Sequence, residues 1–242
     1  MTTAMPAFAA TAAFALESCK LSPIGTATVA AVRDGRTLVL TDGRELRLAA
    51  IEAGEDAGAL QVLAGGATLR LEQLGSGQDR YGRLVAFAHA ADASRSLQEL
   101  LLEQGQARVS ARAGGKACAD TLLAVERRAR AARRGLWADP NFAPLAAEHW
   151  QTLRAQKGRF VLVEGRVLSV RESGATIYVN FGRRWTRDFS VTIARRLKPA
   201  FVAAGLEPKA LEGRVIRVRG WLEQRSGPIV DAAAPEQIEL AE

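Results

Sequence analysis

Apolar and polar residues alternate with a period of two through much of the chain. Leu38 and Leu40 share one face of a strand, and Leu46 and Leu48 one face of the next, with Glu45 and Arg47 turned to the other side. Asp34-Gly35 and Asp42-Gly43 are hairpin-type dipeptides beside these runs, so residues 26–51 read as a β-meander. Residues 67–72 and 83–89 predict two more strands. The spacing then becomes helical: residues 95–105 predict a helix ending at Gly105, and 119–134 a second, basic helix ending at Gly135. Residues 140–157 contain Pro140, Pro144 and a short helical stretch, and read as a linker. Strand patterns return at 159–171, 175–181 and 188–193, followed by a helical stretch at 194–204 and strands at 213–223 and 228–232.

Five strands with helices after them suggest a small barrel, and the five-stranded OB barrel is the candidate. The later order, three strands, a helix and two strands, is again that of an OB barrel. The predicted class is mainly β with helices (α+β), as two tandem OB-fold-like five-stranded barrels. The expected division is a lead-in over 1–24, a first domain over 25–138, a linker over 139–157 and a second domain over 158–242. One larger all-β domain is the rival, and the Pro-containing linker argues against it.

Composition narrows the function. The 242 residues are 48% apolar and 24% charged, a globular balance that excludes wholesale disorder. No apolar run reaches the ~18 residues of a membrane helix. A net charge of +7 favours an acidic partner such as nucleic acid. It is spread as +3 on residues 1–157 (19 basic, 16 acidic) and +4 on 158–242 (14 basic, 10 acidic). Two His and two Cys leave little for a His- or Cys-rich metal site.

Residues 4–16 are small and apolar, and Ala13-Phe14-Ala15 has the form of a signal-peptidase site, although no Lys or Arg precedes it. An export signal and a flexible Ala-rich tail both fit. In an exported chain, periplasmic or secreted, Cys19 and Cys118 would join in one disulfide; in a cytoplasmic one they would be two unrelated buried thiols. Closing a loop of about 100 residues would stabilise by up to ~4.7 kcal/mol in the chain-entropy model.

Three segments of the first half form a constellation: Asp34-Gly35-Arg36-Thr37, Arg47 through Glu55, and Asp79-Arg80-Tyr81-Gly82-Arg83. With Glu126, Ala129-Arg130 and Gly135-Leu136-Trp137 downstream, residues 25–138 resemble the staphylococcal nuclease (thermonuclease) family. The resemblance implies a phosphodiesterase acting on DNA or RNA beside a calcium ion. Arg47 and Arg83 would hold the phosphate through bidentate, charge-assisted hydrogen bonds that strengthen as charge builds in the transition state. Glu55 would orient or deprotonate the attacking water. Tyr81 would lie against nucleic acid or serve only as a turn residue.

The departures from the pattern bear on the metal. The family has D-G-D-T, its second Asp a calcium ligand, where this chain has Arg36. At an effective dielectric near 20 and ~4 Å, each unit-charge pair is worth about 4 kcal/mol, so attraction becomes strong repulsion unless the guanidinium swings out to water. Glu52 stands for the other ligand Asp, and Ala53-Gly54 replaces the usual Thr-Pro. The segment from Glu55 to Ala67 is short and leaves little room for the family's loop and first helix. Ala111 and Ala113 stand where base-contacting tyrosines belong. A non-catalytic binder of nucleic acid or protein on the same fold is the alternative.

The second half interleaves aromatics and arginines. Tyr178, Arg183, Arg184, Trp185 and Arg187 lie on or between two strands, while Arg217, Arg219 and Trp221 alternate with the core residues Ile216, Val218 and Leu222. Stacking aromatics among backbone-holding arginines suit a single-stranded DNA or RNA partner. Alternatively, Trp185 and Trp221 seal a barrel end or an interface.

Overall fold

The computed structural model describes residues 19–73 and 77–241; the apolar stretch at 4–16 lies outside them. The first half runs β1 (Ser22–Asp34), β2 (Thr37–Leu40), β3 (Glu45–Leu48), β4 (Ile51–Ala53), α1 (Gly58–Ala64), β5 (Thr68–Gln73), β6 (Leu84–Ala90), α2 (Leu97–Glu103), β7 (Ala107–Val109) and α3 (Lys116–Ala131). Strands β1, β2, β3, β6 and β5 close into a barrel in that order. All neighbours are antiparallel except β3 and β6, which pair Arg47 with Val85. The expected alternation holds: Leu38, Leu40, Leu46 and Leu48 are all buried in the barrel core, each contributing roughly 1.5–3 kcal/mol of burial.

The helices pack on this core through Leu60 of α1, Leu101 of α2 and Leu122 of α3. Ser96 caps α2 in a reciprocal box with Glu99. Gly105, expected to end that helix, has φ +69° and lies against the main chain at Arg134 and Gly135, so no side chain fits there. The basic helix stops at Ala131, and Arg133 rather than Gly135 takes the first left-handed turn, at φ 51°. The short segment after Glu55 does hold a helix, the two-turn α1. Cys19 and Cys118 form a disulfide with Cα atoms 4.8 Å apart, tying the segment before β1 to α3.

The second half contains β8 (Leu145–Ala146), α4 (Trp150–Ala155), β9 (Phe160–Arg166), β10 (Ser169–Ser173), β11 (Thr176–Asn180), β12 (Ser190–Ala194), α5 (Lys198–Ala203), β13 (Val215–Gln224), β14 (Pro228–Asp231) and β15 (Ile238–Leu240). They form one eight-stranded sheet in the order β10-β11-β12-β14-β13-β9-β8, with β15 also on β13. The long strand expected over 159–171 divides where the backbone changes partner: the Val167 N–H donates to Arg214, the Leu168 N–H to Asn180. Its neighbours are antiparallel except β12 with β14 and β8 with β9, which are parallel.

The stretch expected as a linker is built into this sheet. Leu145 and Ala146 pair in parallel with Val163 and Glu164, and Leu153 is fully buried in the second core. A small third cluster joins the halves, with Ala129 and Trp137 packing on Phe160 and Leu162.

Candidate functional site

Strand β4 leaves the barrel to pair with β7, setting Ile51 opposite Val109 and Glu52 opposite Arg108. Ile51 and Val109 face the core. By alternation Glu52 and Arg108 face the other way, into a cleft of about 520 Å³ between the barrel and the second sheet. Arg36 reaches this floor from the turn after β1. Asp34 accepts from the Arg36 N–H at 2.9 Å, and the Gly35 N–H donates to the Gly54 carbonyl at 3.1 Å. A Cβ on Gly35 would sit 2.8 Å from that carbonyl oxygen, so only glycine allows the turn to lie so close to the chain before Glu55.

Arg36 ion-pairs with Glu52, and its Nη1 also donates to the Ile51 carbonyl at 2.9 Å. Both side chains are largely buried, 12% and 14% exposed. Burial pulls the Arg36 guanidinium below its ordinary value despite the Glu52 charge beside it. Burial likewise pushes the Glu52 carboxyl up, against the opposing charges of Arg36 and Arg47. The guanidinium has not swung out to water; it is turned inward onto Glu52.

These residues do not fit the calcium ion that the nuclease pattern implies. Calcium takes six to eight oxygen ligands. Here one expected donor is a guanidinium, and the other, Glu52, is engaged by it. Among the described residues no three His, Cys, Asp or Glu side chains cluster as a metal site.

The expected phosphate-handling residues are placed differently from one another. Arg47 lies on β3 within the electrostatic reach of Arg36 and Glu52. Glu55 follows β4 and is exposed on the rim of the cleft. Arg83 precedes β6 by one residue and is held by Asp79, which accepts from its Nε at 2.7 Å. The exposed Tyr81 ring lies between Arg80 and Arg83, at 4.7 and 5.1 Å from their guanidinium carbons.

The second-half residues, expected on one platform, are not all brought together. Arg183 and Trp185 line a groove of about 480 Å³ with Arg171 and Asn180. Trp185 is 70% exposed, and it lines a neighbouring pocket together with Tyr178. Arg184 stands exposed in the same loop. Arg187 and Arg217 are engaged by Asp188 and Glu164. Trp221 lies elsewhere, edge-on to Phe160 at 6.0 Å in the cleft.

Arg219 corrects the expectation of an exposed face. It is 1% exposed and forms two bonds of 3.0 Å to Glu126 of α3, one of 2.5 Å to Glu239 and one of 2.9 Å to the Val109 carbonyl. Burial opposes its charge, but the two carboxylates outweigh burial and raise its pKa. The alternation on β13 is as expected; at Arg219 the outer face is covered by β7 and α3 of the first half. The signal is in Phe160-Val161-Leu162-Val163, apolar on both faces, which marks a strand buried on both sides. Arg108 was not anticipated, since one arginine in a short polar stretch carries no pattern.

Among the described residues no helix is long and apolar enough to cross a membrane. No curated protein matches the chain. Residues 52–139 match the family model described as staphylococcal nuclease homologue. The match takes in Glu52, Glu55, Arg83 and Glu126 and begins after Arg36 and Arg47. With the closed five-stranded barrel and the ordered motifs around it, the chain carries a staphylococcal nuclease homologue domain.

Proposed function

We infer that the protein binds single-stranded nucleic acid on a nuclease fold whose calcium site is replaced by an ion pair. The observation that carries binding is the solvent-facing Trp185 beside Arg183 and Tyr178. An indole open to water at the edge of a basic groove suits base stacking with backbone neutralisation. The net charge of +7 supports the same partner. The Arg36–Glu52 pair favours binding over calcium-dependent hydrolysis. The disulfide supports an exported protein, periplasmic or secreted. Reading 158–242 as a second OB-like module agrees with its strand order.

Phosphodiester hydrolysis is the second reading, favoured by the survival together of Arg47, Glu55 and Arg83. In it the arginines hold the phosphate, Arg83 exchanging Asp79 for the ligand, and the exposed Glu55 receives the proton of the attacking water.

The experiment is a labelled single-stranded DNA incubated with the full chain in chelator and in calcium. Saturable binding that weakens with salt, with intact DNA in both, is the expected result. No binding at low salt overturns the first reading; cleavage abolished by Ala at Arg47, Glu55 or Arg83 establishes the second.

A further inference from the structure

We propose that the cleft between the barrel and the second sheet is a nucleotide site, in which Arg108 holds a phosphate and Trp221 stacks the base. The inference rests on the nucleic-acid reading above and assigns a second contact surface, away from the Trp185 groove.

The argument begins with an unneutralised charge. Arg108 is held between the rings of Phe142 and Phe160, at 5.5 and 5.1 Å from their centroids. Its Nε is buried without a hydrogen-bond partner. Among the described residues no carboxylate lies within ion-pair distance of it, although its neighbour in the ladder is Glu52. Glu52 is already engaged by Arg36. Burial lowers the Arg108 pKa against the more distant charges of Glu126 and Glu52. A desolvated cation without a partner is costly, and such sites are kept where a ligand supplies the anion.

The walls fit one class of anion. Arg159 adds a second guanidinium at the exposed rim, bonded among the described residues only to the neutral Gln156. Among the described residues, Glu55 on the same rim is the one acidic lining group without an ion-pair partner. Trp221, 48% exposed, lines the same cleft as the two cations. A simple inorganic anion would use the guanidinium and leave the indole bare. A nucleotide uses both, since every base has a face to stack and every phosphate an oxygen pair to match the arginine fork. The volume of about 520 Å³ is within the ~300–1,000 Å³ of small-ligand sites.

The test measures binding of fluorescein-labelled oligothymidylate to the full chain in chelator, with Arg108→Gln, Arg159→Ala, Trp221→Ala and, on the other surface, Trp185→Ala. Arg108→Gln is expected to weaken binding about tenfold and to lower the salt slope by about one. Its melting temperature should not fall, because the variant removes a penalised charge; a merely structural arginine would lower it. Trp221→Ala should weaken binding about five- to hundredfold. Arg159→Ala, on the exposed rim, keeps the test valid if another variant fails to fold. Wild-type affinity in the Arg108, Arg159 and Trp221 variants, with a loss only in Trp185→Ala, overturns the cleft site and leaves the nucleic-acid reading standing. No binding by the unmodified chain overturns both.

Discussion

Two buried arginine–carboxylate clusters lie along the junction of the halves, and their charges are balanced in opposite ways. At Arg219, two carboxylates and a carbonyl surround one guanidinium. Its pKa rises, and the Glu239 carboxyl is held below its ordinary value because Arg219, Arg130 and Arg217 outweigh burial. At Arg36–Glu52, burial outweighs the partner, so both groups shift toward neutrality. The difference teaches which arginine the fold depends on. Arg219 ties β13, α3 and β15 together, whereas Arg36–Glu52 lines a cleft and holds no two halves together.

Removing the charge of Glu126 is the most direct way to break the first cluster. Its carboxylate also accepts from the Val109 N–H at 2.6 Å. Glu126→Gln takes one of the two carboxylates from the buried Arg219 and the charged acceptor from the Val109 N–H, and should cost about 3 kcal/mol, read by denaturant unfolding. Reducing the disulfide frees the first turn of α3, the helix that carries Glu126. It should cost about 2–4 kcal/mol, seen as a lower Tm in reductant.

Acid separates the clusters by sign. Glu239 has a lowered pKa in the folded chain, so its contribution is present above its ordinary value of 4.5 and is lost as pH falls through the lower folded value. Glu52 has a raised pKa, so its ionised form is the disfavoured one, and protonation relieves the burial cost. Acid unfolding of Glu239→Gln should therefore be less steep than that of the unmodified chain below pH 4.5, and that of Glu52→Gln should not. The smallest effect is expected from Arg36→Met with Glu52→Met. Replacing an under-compensated ion pair by apolar groups should leave unfolding stability unchanged or raised by about 1 kcal/mol.

Much of the barrel is legible in the sequence because alternation is a strong signal: the leucines of β2 and β3 fix which face is core, and Asp79 through Arg83 fix a turn. The strands of the second half are legible for the same reason. Helix α1 is not, since Ala57 provides no side-chain cap and the flanks are glycines. Strand β8, two residues long, has no period to read. The burial of Arg219 escapes because alternation tells which face a residue takes and not what covers that face. That Arg36 stands where the resembled family has a calcium ligand is visible in the sequence; that its guanidinium turns inward to Glu52 is shown only by the fold.

The central claim, that an internal guanidinium occupies the place of the metal, is tested most directly by calorimetric titration of calcium into the unmodified chain and into Arg36→Asp. The account predicts no saturable calcium binding by the unmodified chain, and its appearance in Arg36→Asp. A single saturable calcium site in the unmodified chain, lost in Glu52→Gln, would contradict it.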